Sequence, residues 1–295
     1  MQQKSVKKMN FENLWRSLVV RYDEGEARAV ARWLLEVGFG LTMTDVVCGR
    51  MEQLSDGALQ ELHQMQQRLL QGEPVQYVVG LADFGPRQFR VSPHVLIPRP
   101  ETYELCQWLT DCCRETNGSS AEAGLHILDI GTGSGCIACT LAADLPEAQV
   151  TGWDISEGAL SVARENAKRA NVLVSFNQAD ALSLKAETAC WQVIVSNPPY
   201  ICQQEAAYME PHVLEHEPHE ALFVPDNDPL LFYRAIAHYS LHALTCGGML
   251  FFELNPLYAE ACRLMLTELG FGGIALRPDQ FGKQRFIKAI KEDHV

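Results

Sequence analysis

A glycine-rich turn between an apolar strand and a helix places the strongest constraint on how this chain can fold. Residues 128–135 read Leu-Asp-Ile-Gly-Thr-Gly-Ser-Gly, and residues 135–145 have the pattern of a helix. Glycine has no side chain, so a ligand can approach the backbone amides closely where the helix begins. We therefore expect a nucleotide-type ligand at this turn. NAD and FAD are disfavoured because Cys136 stands where a dinucleotide fingerprint requires glycine.

Strand and helix patterns alternate along the chain beyond this turn. The predicted strands are residues 126–130, 149–154, 172–178, 192–195 and 248–254, followed by two terminal strands. The predicted helices are residues 135–145, 157–170, 230–244 and 258–269. Such alternation is typical of a doubly wound α/β domain with a mostly parallel sheet.

The chain before this α/β region has a different pattern. Apolar residues recur every three or four positions in residues 11–70, which predicts a small helical bundle with N-caps at Thr44 and Ser55. Residues 75–97 read as short β pieces separated by turns, and two prolines then delay the next helix until about residue 101. The predicted domains are a helical domain over residues 1–72, a β-hairpin connector over 73–100 and an α/β domain over 101–295.

Composition and charge disfavour several classes of protein. The 295 residues contain no uninterrupted apolar stretch long enough to cross a bilayer, and residues 1–10 are polar and lysine-containing, unlike a signal peptide. We expect a cytoplasmic protein without membrane association. The net charge is −13, and residues 1–72 carry nine Lys/Arg and nine Asp/Glu, which leaves 15 and 28 for the rest. This acidic excess disfavours direct contact with nucleic acid, which requires a basic stripe.

Two groups of side chains raise the question of a metal site. Cys136 and Cys139 form a C-x-x-C pair, but they lie inside a predicted helix and no second pair stands nearby. A second group has helix-like spacing: His212, Glu215, His216, Glu217 and His219. Two prolines interrupt any helix there, and H-E-x-x-H is absent. We expect no metal at either place, and we interpret most of the ten cysteines as reduced core residues.

Three carboxylates follow or end predicted strands. Asp154 ends the strand after the glycine turn, where a carboxylate can accept the hydroxyl hydrogens of a ribose. Asp180 follows the third strand and could accept the exocyclic amine of an adenine. Each also has a simpler interpretation: Asp129 could cap the turn, Asp154 could cap the next helix, and Asp180 could be a solvated loop residue. Because open α/β sheets bind ligands at the carboxyl ends of their strands, we favour the ligand-binding interpretation.

The tetrapeptide Asn197-Pro198-Pro199-Tyr200 follows the fourth strand and suggests methylation of an amino group. An amide or aromatic amine nitrogen has a delocalised lone pair, so it attacks a methyl donor poorly unless acceptors hold its hydrogens. The Asn197 Oδ1 atom and the Pro198 carbonyl can be those acceptors, because proline lacks an N–H and disfavours helical backbone before it. Tyr200 adds an aromatic face for a flat substrate group. The simpler interpretation is a proline-rich turn.

Further motifs accompany the glycine turn and this tetrapeptide. They are Leu-Ile-Pro-Arg-Pro-Glu-Thr at 96–102, Glu217-Pro218-His219 with Ala221-Leu222, and Asp279, Gly282 and Arg285. Together they resemble the HemK/PrmC family, whose members are class I S-adenosylmethionine methyltransferases. These protein-glutamine N5-methyltransferases modify the Gly-Gly-Gln loop of class 1 peptide-chain release factors. The resemblance covers roughly residues 70–290, and the helical N-terminal domain agrees in size and position.

The resemblance implies a Rossmann-like methyltransferase domain with an antiparallel terminal strand, after a helical domain that docks the release factor. It implies S-adenosylmethionine as cofactor, with S-adenosylhomocysteine as product. The residues expected to hold the cofactor are Asp129, Gly131, Thr132, Gly133, Ser134, Gly135, Asp154, Ile155, Asp180, Ala181 and Asn197. Asn197 and Pro198 would hold the substrate amide, with Pro199, Tyr200 and Phe84 packed on the glutamine. We expect a monomer.

Three positions depart from the family pattern. Tyr103 stands where a second glutamate is usual, Asn255-Pro256 where glycine is more usual, and Ala181 where the residue is often larger. Two other functions remain open at this point. One is an N6-adenine methyltransferase acting on nucleic acid, because an adenine amine would suit the same acceptors. The other is a non-catalytic S-adenosylmethionine-binding partner protein.

Overall fold

A computed structural model of the protein describes residues 9–117, 124–185 and 188–292. The chain divides into two compact units, one containing Met1–Leu81 and Glu210–His216 and the other containing Ala82–Met209 and Glu217–Val295. The helices are α1 (Phe11–Leu18), α2 (Glu24–Phe39), α3 (Met43–Val47), α4 (Asp56–Leu70), α5 (Val75–Val79), α6 (Pro100–Asn117), α7 (Cys136–Asp144), α8 (Glu157–Ala170), α9 (Pro211–His216), α10 (Leu231–Ala243) and α11 (Ala259–Glu268). The strands are β1 (Leu81–Phe84), β2 (Arg87–Arg90), β3 (His126–Ile130), β4 (Gln149–Asp154), β5 (Val174–Gln178), β6 (Trp191–Ser196), β7 (Ile201–Cys202), β8 (Phe223–Val224), β9 (Leu244–Glu253), β10 (Phe271–Pro278) and β11 (Gln284–Lys291).

The first unit is a helical bundle, as the apolar periodicity predicts. Leu14, Leu34 and Leu62 come from α1, α2 and α4, and all three are completely buried in one hydrophobic cluster. Polar side chains accept a backbone N–H in the first turn of these helices: Asn10, Asp23 and Ser55. Burial of apolar area stabilises the bundle, and the caps satisfy amides that a helix leaves unpaired.

Two sequence-based expectations in this unit are wrong in detail. The cap of α3 is Thr42 and not Thr44, because Thr42 and Asp45 form a reciprocal capping box. Residues 75–79 form the short helix α5 and not a β piece. Gly80 ends this helix with φ 78°, a conformation that side-chain-bearing residues rarely adopt. The β-branched residues of α5 had favoured a strand, but packing against the bundle overrides that preference.

The second unit is built on a seven-stranded sheet of order β10-β11-β9-β6-β3-β4-β5. Strands β9, β6, β3, β4 and β5 are parallel, whereas β11 is antiparallel to both of its neighbours. Two small sheets accompany it, β1 with β2 and β7 with β8. The expected Rossmann-like architecture with an antiparallel terminal strand is confirmed.

Both faces of the central sheet are covered. On β3, Ile127 belongs to one hydrophobic cluster and its neighbour Leu128 to the other, since successive strand residues point to opposite faces. Helices α6 and α7 contribute to the first cluster, and α10 and α11 to the second. Strands buried on both faces favour apolar runs, as at residues 193–195 of β6, whereas the run in β3 is interrupted by the buried Asp129.

Candidate active site

The glycine-rich turn leaves the carboxyl end of β3 and leads into α7. Gly131, Gly133 and Gly135 have φ values of 74°, 53° and 76°, which explains why glycine stands at each position. The N–H groups of Gly131 and Thr132 both donate to the Trp153 carbonyl at 2.8 Å, so the turn is fixed to β4. A Cβ atom built on Gly131 or Gly133 would have no other atom within 4 Å, which leaves open space beside the backbone.

Asp129 is completely buried beneath this turn. Its Oδ2 atom accepts the Thr132 hydroxyl at 2.6 Å. Burial raises the pKa of Asp129 to about 7, against hydrogen bonds that favour the charged carboxylate. The simpler interpretation offered by the sequence, a carboxylate that braces the turn, accounts for these contacts.

Asp154 ends β4 beside the turn. Its Oδ2 atom accepts the Gly133 N–H at 2.8 Å, and its Oδ1 atom accepts the Ser156 N–H at 2.9 Å. Burial raises the pKa of Asp154 above its usual range, although those two amides favour the charged form. Helix α8 is capped by Ser156 and not by Asp154. The carboxylate therefore serves the turn and the cavity described next.

A cavity of about 270 Å³ opens where the carboxyl ends of β3, β4 and β6 meet. Seven of the predicted cofactor residues line it: Gly131, Gly133, Asp154, Ile155, Asp180, Ala181 and Asn197. The other four do not line it: Asp129, Thr132, Ser134 and Gly135. Asp180 also accepts the Leu182 N–H at 2.8 Å and the Ser183 hydroxyl at 3.0 Å, which orders its own loop.

Several lining residues are absent from the sequence-based prediction. His94, Val95 and Leu96 come from the segment between β2 and α6, and Phe232 and Ile236 come from α10. Pro218, Glu220 and Ala221 also line the cavity. The Glu-Pro-His motif that carries part of the family resemblance signalled the last group. Leu96 begins the 96–102 motif, but no local pattern signals His94, Val95, Phe232 or Ile236, because they reach the cavity only through tertiary packing.

The tetrapeptide begins where β6 ends. Asn197, Pro198 and Pro199 line the cavity. The Asn197 Nδ2 atom donates to Thr102 Oγ1 at 3.1 Å, and the Thr102 hydroxyl donates to Glu253 Oε2 at 2.6 Å. Tyr200 does not line the cavity; its hydroxyl donates to the other carboxylate oxygen of Glu253 at 3.1 Å.

Asn255 is one of the departures from the family pattern, and it contacts the tetrapeptide. Its Nδ2 atom donates to the Tyr200 carbonyl at 3.2 Å and to Glu205 Oε1 at 3.0 Å. Its Oδ1 atom accepts the Leu257 N–H at 3.1 Å. A glycine could make none of these side-chain bonds, so Asn255 adds an anchor for the backbone of Tyr200.

Phe84 lies in the hydrophobic core and not at the cavity. It is 1% exposed, and its ring meets those of Phe89 and Tyr103 edge-on at 5.7 and 5.5 Å. This position gives no support to the expected contact between Phe84 and a substrate. Tyr103 fits here because Gly85 has no side chain: a Cβ atom on Gly85 would lie 2.4 Å from the Tyr103 ring.

Cys136 and Cys139, one of the two groups that raised the question of a metal site, are buried in α7, and burial raises the pKa of both thiols to about 12. Within residues 9–117, 124–185 and 188–292, no group of three His, Cys, Asp or Glu side chains could hold a metal ion. No helix in that part of the chain is long and apolar enough to cross a membrane.

The cavity suits S-adenosylmethionine. The open space beside Gly131 and Gly133 can admit the ligand against bare backbone, and Asp154 supplies a carboxylate at the wall. Most of the remaining wall is apolar, including Ile155, Ala181 and Phe232, as an adenine ring requires.

Comparison with known proteins adds independent evidence. The family model of the PrmC N-terminal domain matches residues 15–80, and that of the Methyltransferase small domain matches residues 117–222. Among solved structures, the hMettl16 catalytic domain is 17% identical and superposes with a TM-score of 0.54, covering 70% of this chain and 76% of that chain. A human methyltransferase 10 domain containing protein is 18% identical with a TM-score of 0.51, covering 69% of this chain and 88% of that chain. These two likenesses concern the fold alone.

Curated relatives match nearly the full length of the chain. The release factor glutamine methyltransferase of Bacteroides thetaiotaomicron is 40% identical over 91% of this chain and 94% of its own length. That of Flavobacterium psychrophilum is 38% identical over 90% and 93%, and that of Streptococcus pneumoniae is 34% identical over 94% and 95%. With the site geometry and both domain matches in agreement, the chain belongs to the release factor glutamine methyltransferase family.

Proposed function

We propose that this protein transfers a methyl group from S-adenosylmethionine to the side-chain amide nitrogen, N5, of a glutamine in a peptide-chain release factor. The glutamine is that of the Gly-Gly-Gln motif of a class 1 factor. The observation that carries the proposal is the position of Asn197 and Pro198. Both line the cavity that Gly131 and Asp154 also line, so amide acceptors and a cofactor cradle share one space.

The cofactor-binding residues act by shape and charge. Gly131 and Gly133 give a ligand access to bare backbone, and Asp154 would accept the hydroxyl hydrogens of the ribose. Asp180 and Ala181, which line the same cavity, would border the adenine. Asp129, Thr132, Ser134 and Gly135 act through the conformation of the turn, because they do not line the cavity. S-adenosylmethionine supplies the electrophilic methyl group and leaves as S-adenosylhomocysteine.

Asn197 and Pro198 act on the substrate amide. The Asn197 Oδ1 atom and the Pro198 carbonyl accept the two hydrogens of the glutamine nitrogen, which orients its lone pair. The nitrogen becomes acidic only as its new bond to carbon forms, so no strong base has to act beforehand. Most of the rate gain comes from position and alignment. Pro199 completes the wall that shields the amide from water, and Tyr200 supports the tetrapeptide through its hydrogen bond to Glu253.

The remaining assignments follow from the same function. The helical domain, residues 1–72, docks the release factor, residues 73–100 connect the domains, and residues 101–295 carry the transfer. The protein acts as a monomer in the cytoplasm, where release factors work. The acidic excess after residue 72 supports a protein substrate and not DNA.

The test is incubation with methyl-labelled S-adenosylmethionine and, in separate reactions, candidate release factors and DNA. Mass spectrometry then locates the methyl group. We expect one methyl group on the glutamine of the Gly-Gly-Gln motif, and none when that glutamine is replaced by alanine. Label on adenine in DNA would favour the N6-adenine alternative, and label nowhere would favour the non-catalytic one.

A further inference from the structure

We propose that Thr102 and Glu253 are positioning residues that fix which way the Asn197 carboxamide faces. The inference rests on the proposed transfer to glutamine and deepens it. An asparagine side chain can rotate so that its oxygen and its nitrogen exchange places. Only one of the two orientations presents an acceptor to the substrate amide.

The three residues form a continuous hydrogen-bonded chain. Thr102 lies in the first turn of α6 and is 3% exposed, and Glu253 ends β9 and is 2% exposed. Asn197 Nδ2 lies 3.1 Å from Thr102 Oγ1, which lies 2.6 Å from Glu253 Oε2. The second carboxylate oxygen accepts the Tyr200 hydroxyl at 3.1 Å. Both oxygens of Glu253 are thus engaged by hydroxyl donors from different segments.

The chemistry of these groups gives the chain a direction. An ionised carboxylate only accepts hydrogen bonds, so it takes the single proton of the Thr102 hydroxyl. The Thr102 oxygen is then left with lone pairs and can only accept from Asn197. The amide nitrogen of Asn197 must face Thr102, and its Oδ1 atom faces away from that bond. The charge on Glu253 therefore decides the orientation of the Asn197 carboxamide, which lies two hydrogen bonds away.

Burial of the Glu253 carboxylate costs folding free energy, so a purely structural role does not explain this residue. It forms no ion pair within 4 Å among the residues that the structure places; the nearby Arg285, which pairs with Asp279 at 3.3 Å, favours the charged carboxylate only from a longer distance. Burial raises the pKa of Glu253, which means that the protein environment disfavours its charge. A glutamine would fill the same space without that penalty. The need for an acceptor-only group explains the carboxylate.

The experiment compares four variants of the full chain. Thr102→Val removes the acceptor for Asn197, whereas Thr102→Ser keeps it. Glu253→Met keeps about the same size but has no oxygen to accept the Thr102 proton, which frees that proton for the Asn197 oxygen and lets the amide turn over. Thr110→Val is the matched control: Thr110 is a buried threonine on the same helix, and its hydroxyl has no hydrogen-bond partner among the residues that the structure describes.

We expect kcat for release-factor methylation to fall about 10- to 100-fold in Thr102→Val and Glu253→Met, because the productive orientation leaves a polar atom unpaired. Thr102→Ser and Thr110→Val should stay within about threefold of wild type. The Kd for S-adenosylmethionine should be unchanged in all four. Glu253→Met should stay folded, since it exchanges a buried charge for an apolar side chain of similar size.

A second measurement does not depend on activity. In ¹⁵N-labelled protein, the side-chain NH₂ signals of Asn197 are identified by their loss in Asn197→Ala. Their hydrogen exchange should be slow in wild type and in Thr102→Ser, and faster in Thr102→Val. Failure of wild type to methylate any release factor would refute the proposed function. The hydrogen exchange of the Asn197 side chain would still test the hydrogen-bonded chain.

Two results would overturn the inference. One is a wild-type kcat in Thr102→Val or Glu253→Met. The other is a parallel loss of cofactor affinity, thermal stability and kcat in both variants. That pattern would indicate a general loss of structure and not a reoriented Asn197 carboxamide.

Discussion

Arg99 and Glu217, which are 118 positions apart in sequence, form an ion pair of 2.6 Å between Nη2 and Oε1. The Glu217 side chain is completely buried, and its other oxygen accepts the Ile97 N–H at 3.1 Å. This pair joins the segment before α6 to the segment after α9. Both segments contribute to the cavity, through Leu96 on one side and Pro218 on the other.

Removal of one partner should destabilise the catalytic unit. Arg99→Ala leaves the Glu217 carboxylate buried without its cation, which costs about 3–5 kcal/mol of unfolding free energy. Urea unfolding measures the change. Arg263→Ala is the control, because its partner Glu260 is 65% exposed and such a surface pair contributes at most about 1 kcal/mol. Equal losses in the two variants would contradict this account.

The Asn197 carboxamide should be needed for turnover but not for cofactor binding. Asn197→Ala removes an acceptor for the substrate amide, so methyl transfer to the release factor should fall to background. Calorimetry should show affinity for S-adenosylmethionine close to wild type. Asn177→Ala, at an exposed position on β5, should behave as wild type. Methylation retained in Asn197→Ala would remove the basis of the proposed mechanism.

Asp154 should contribute directly to cofactor affinity. In Asp154→Ala, the ribose loses a charged acceptor, and the Gly133 and Ser156 amides lose theirs. Affinity for S-adenosylmethionine should fall about 10- to 100-fold. Glu157→Gln changes a nearby carboxylate that is 61% exposed, and should bind the cofactor normally. Titration calorimetry distinguishes the two variants, and similar affinities would disprove the role of Asp154.

The buried Asp129 should make stability depend on pH. Its pKa in the folded protein is about 7, against 3.8 for the ordinary group. A pKa raised by folding gives stability that is present at low pH and is lost as pH rises through the folded value. Relative to Asp129→Asn, wild type should lose up to about 1.4 kcal/mol of unfolding free energy for each unit by which the pH rises between those two pKa values. Urea midpoints of both proteins measure this difference, and a difference that does not vary with pH would contradict it.

Gly152 should tolerate no side chain. A Cβ atom there would lie 2.8 Å from both Thr132 Oγ1 and the Phe176 ring. Gly152→Ala should cost about 1–3 kcal/mol of stability through overpacking, and should weaken cofactor binding by moving Thr132 in the turn. In α4, a Cβ atom on Gly57 would meet only Ser55 Oγ at 4.0 Å, so Gly57→Ala should be neutral or stabilising. Thermal unfolding compares the two variants.

Local sequence was sufficient for most of the α/β framework. The bounds of β3, β4 and α8 are those that the patterns predict, because the glycine turn fixes where β3 ends and α8 has clear helical periodicity after β4. Prediction was less accurate where propensity and packing disagree, as at α5, or where neighbouring residues compete for one cap, as at Thr42 and Thr44. At these positions the alternative local conformations differ in free energy by less than tertiary contacts contribute.

By itself, the sequence determined the class of chemistry, because the glycine turn, Asp154 and Asn197 each follow or end a strand and parallel strands present those ends at one edge. Only the tertiary structure decided which residues line the cavity and which support it from the interior. It placed Asp129 and Phe84 in the interior, brought His94 and Phe232 to the cavity, and joined Asn197 to Glu253 through Thr102. These relationships span long sequence separations, and they exist only when the helices and strands have packed.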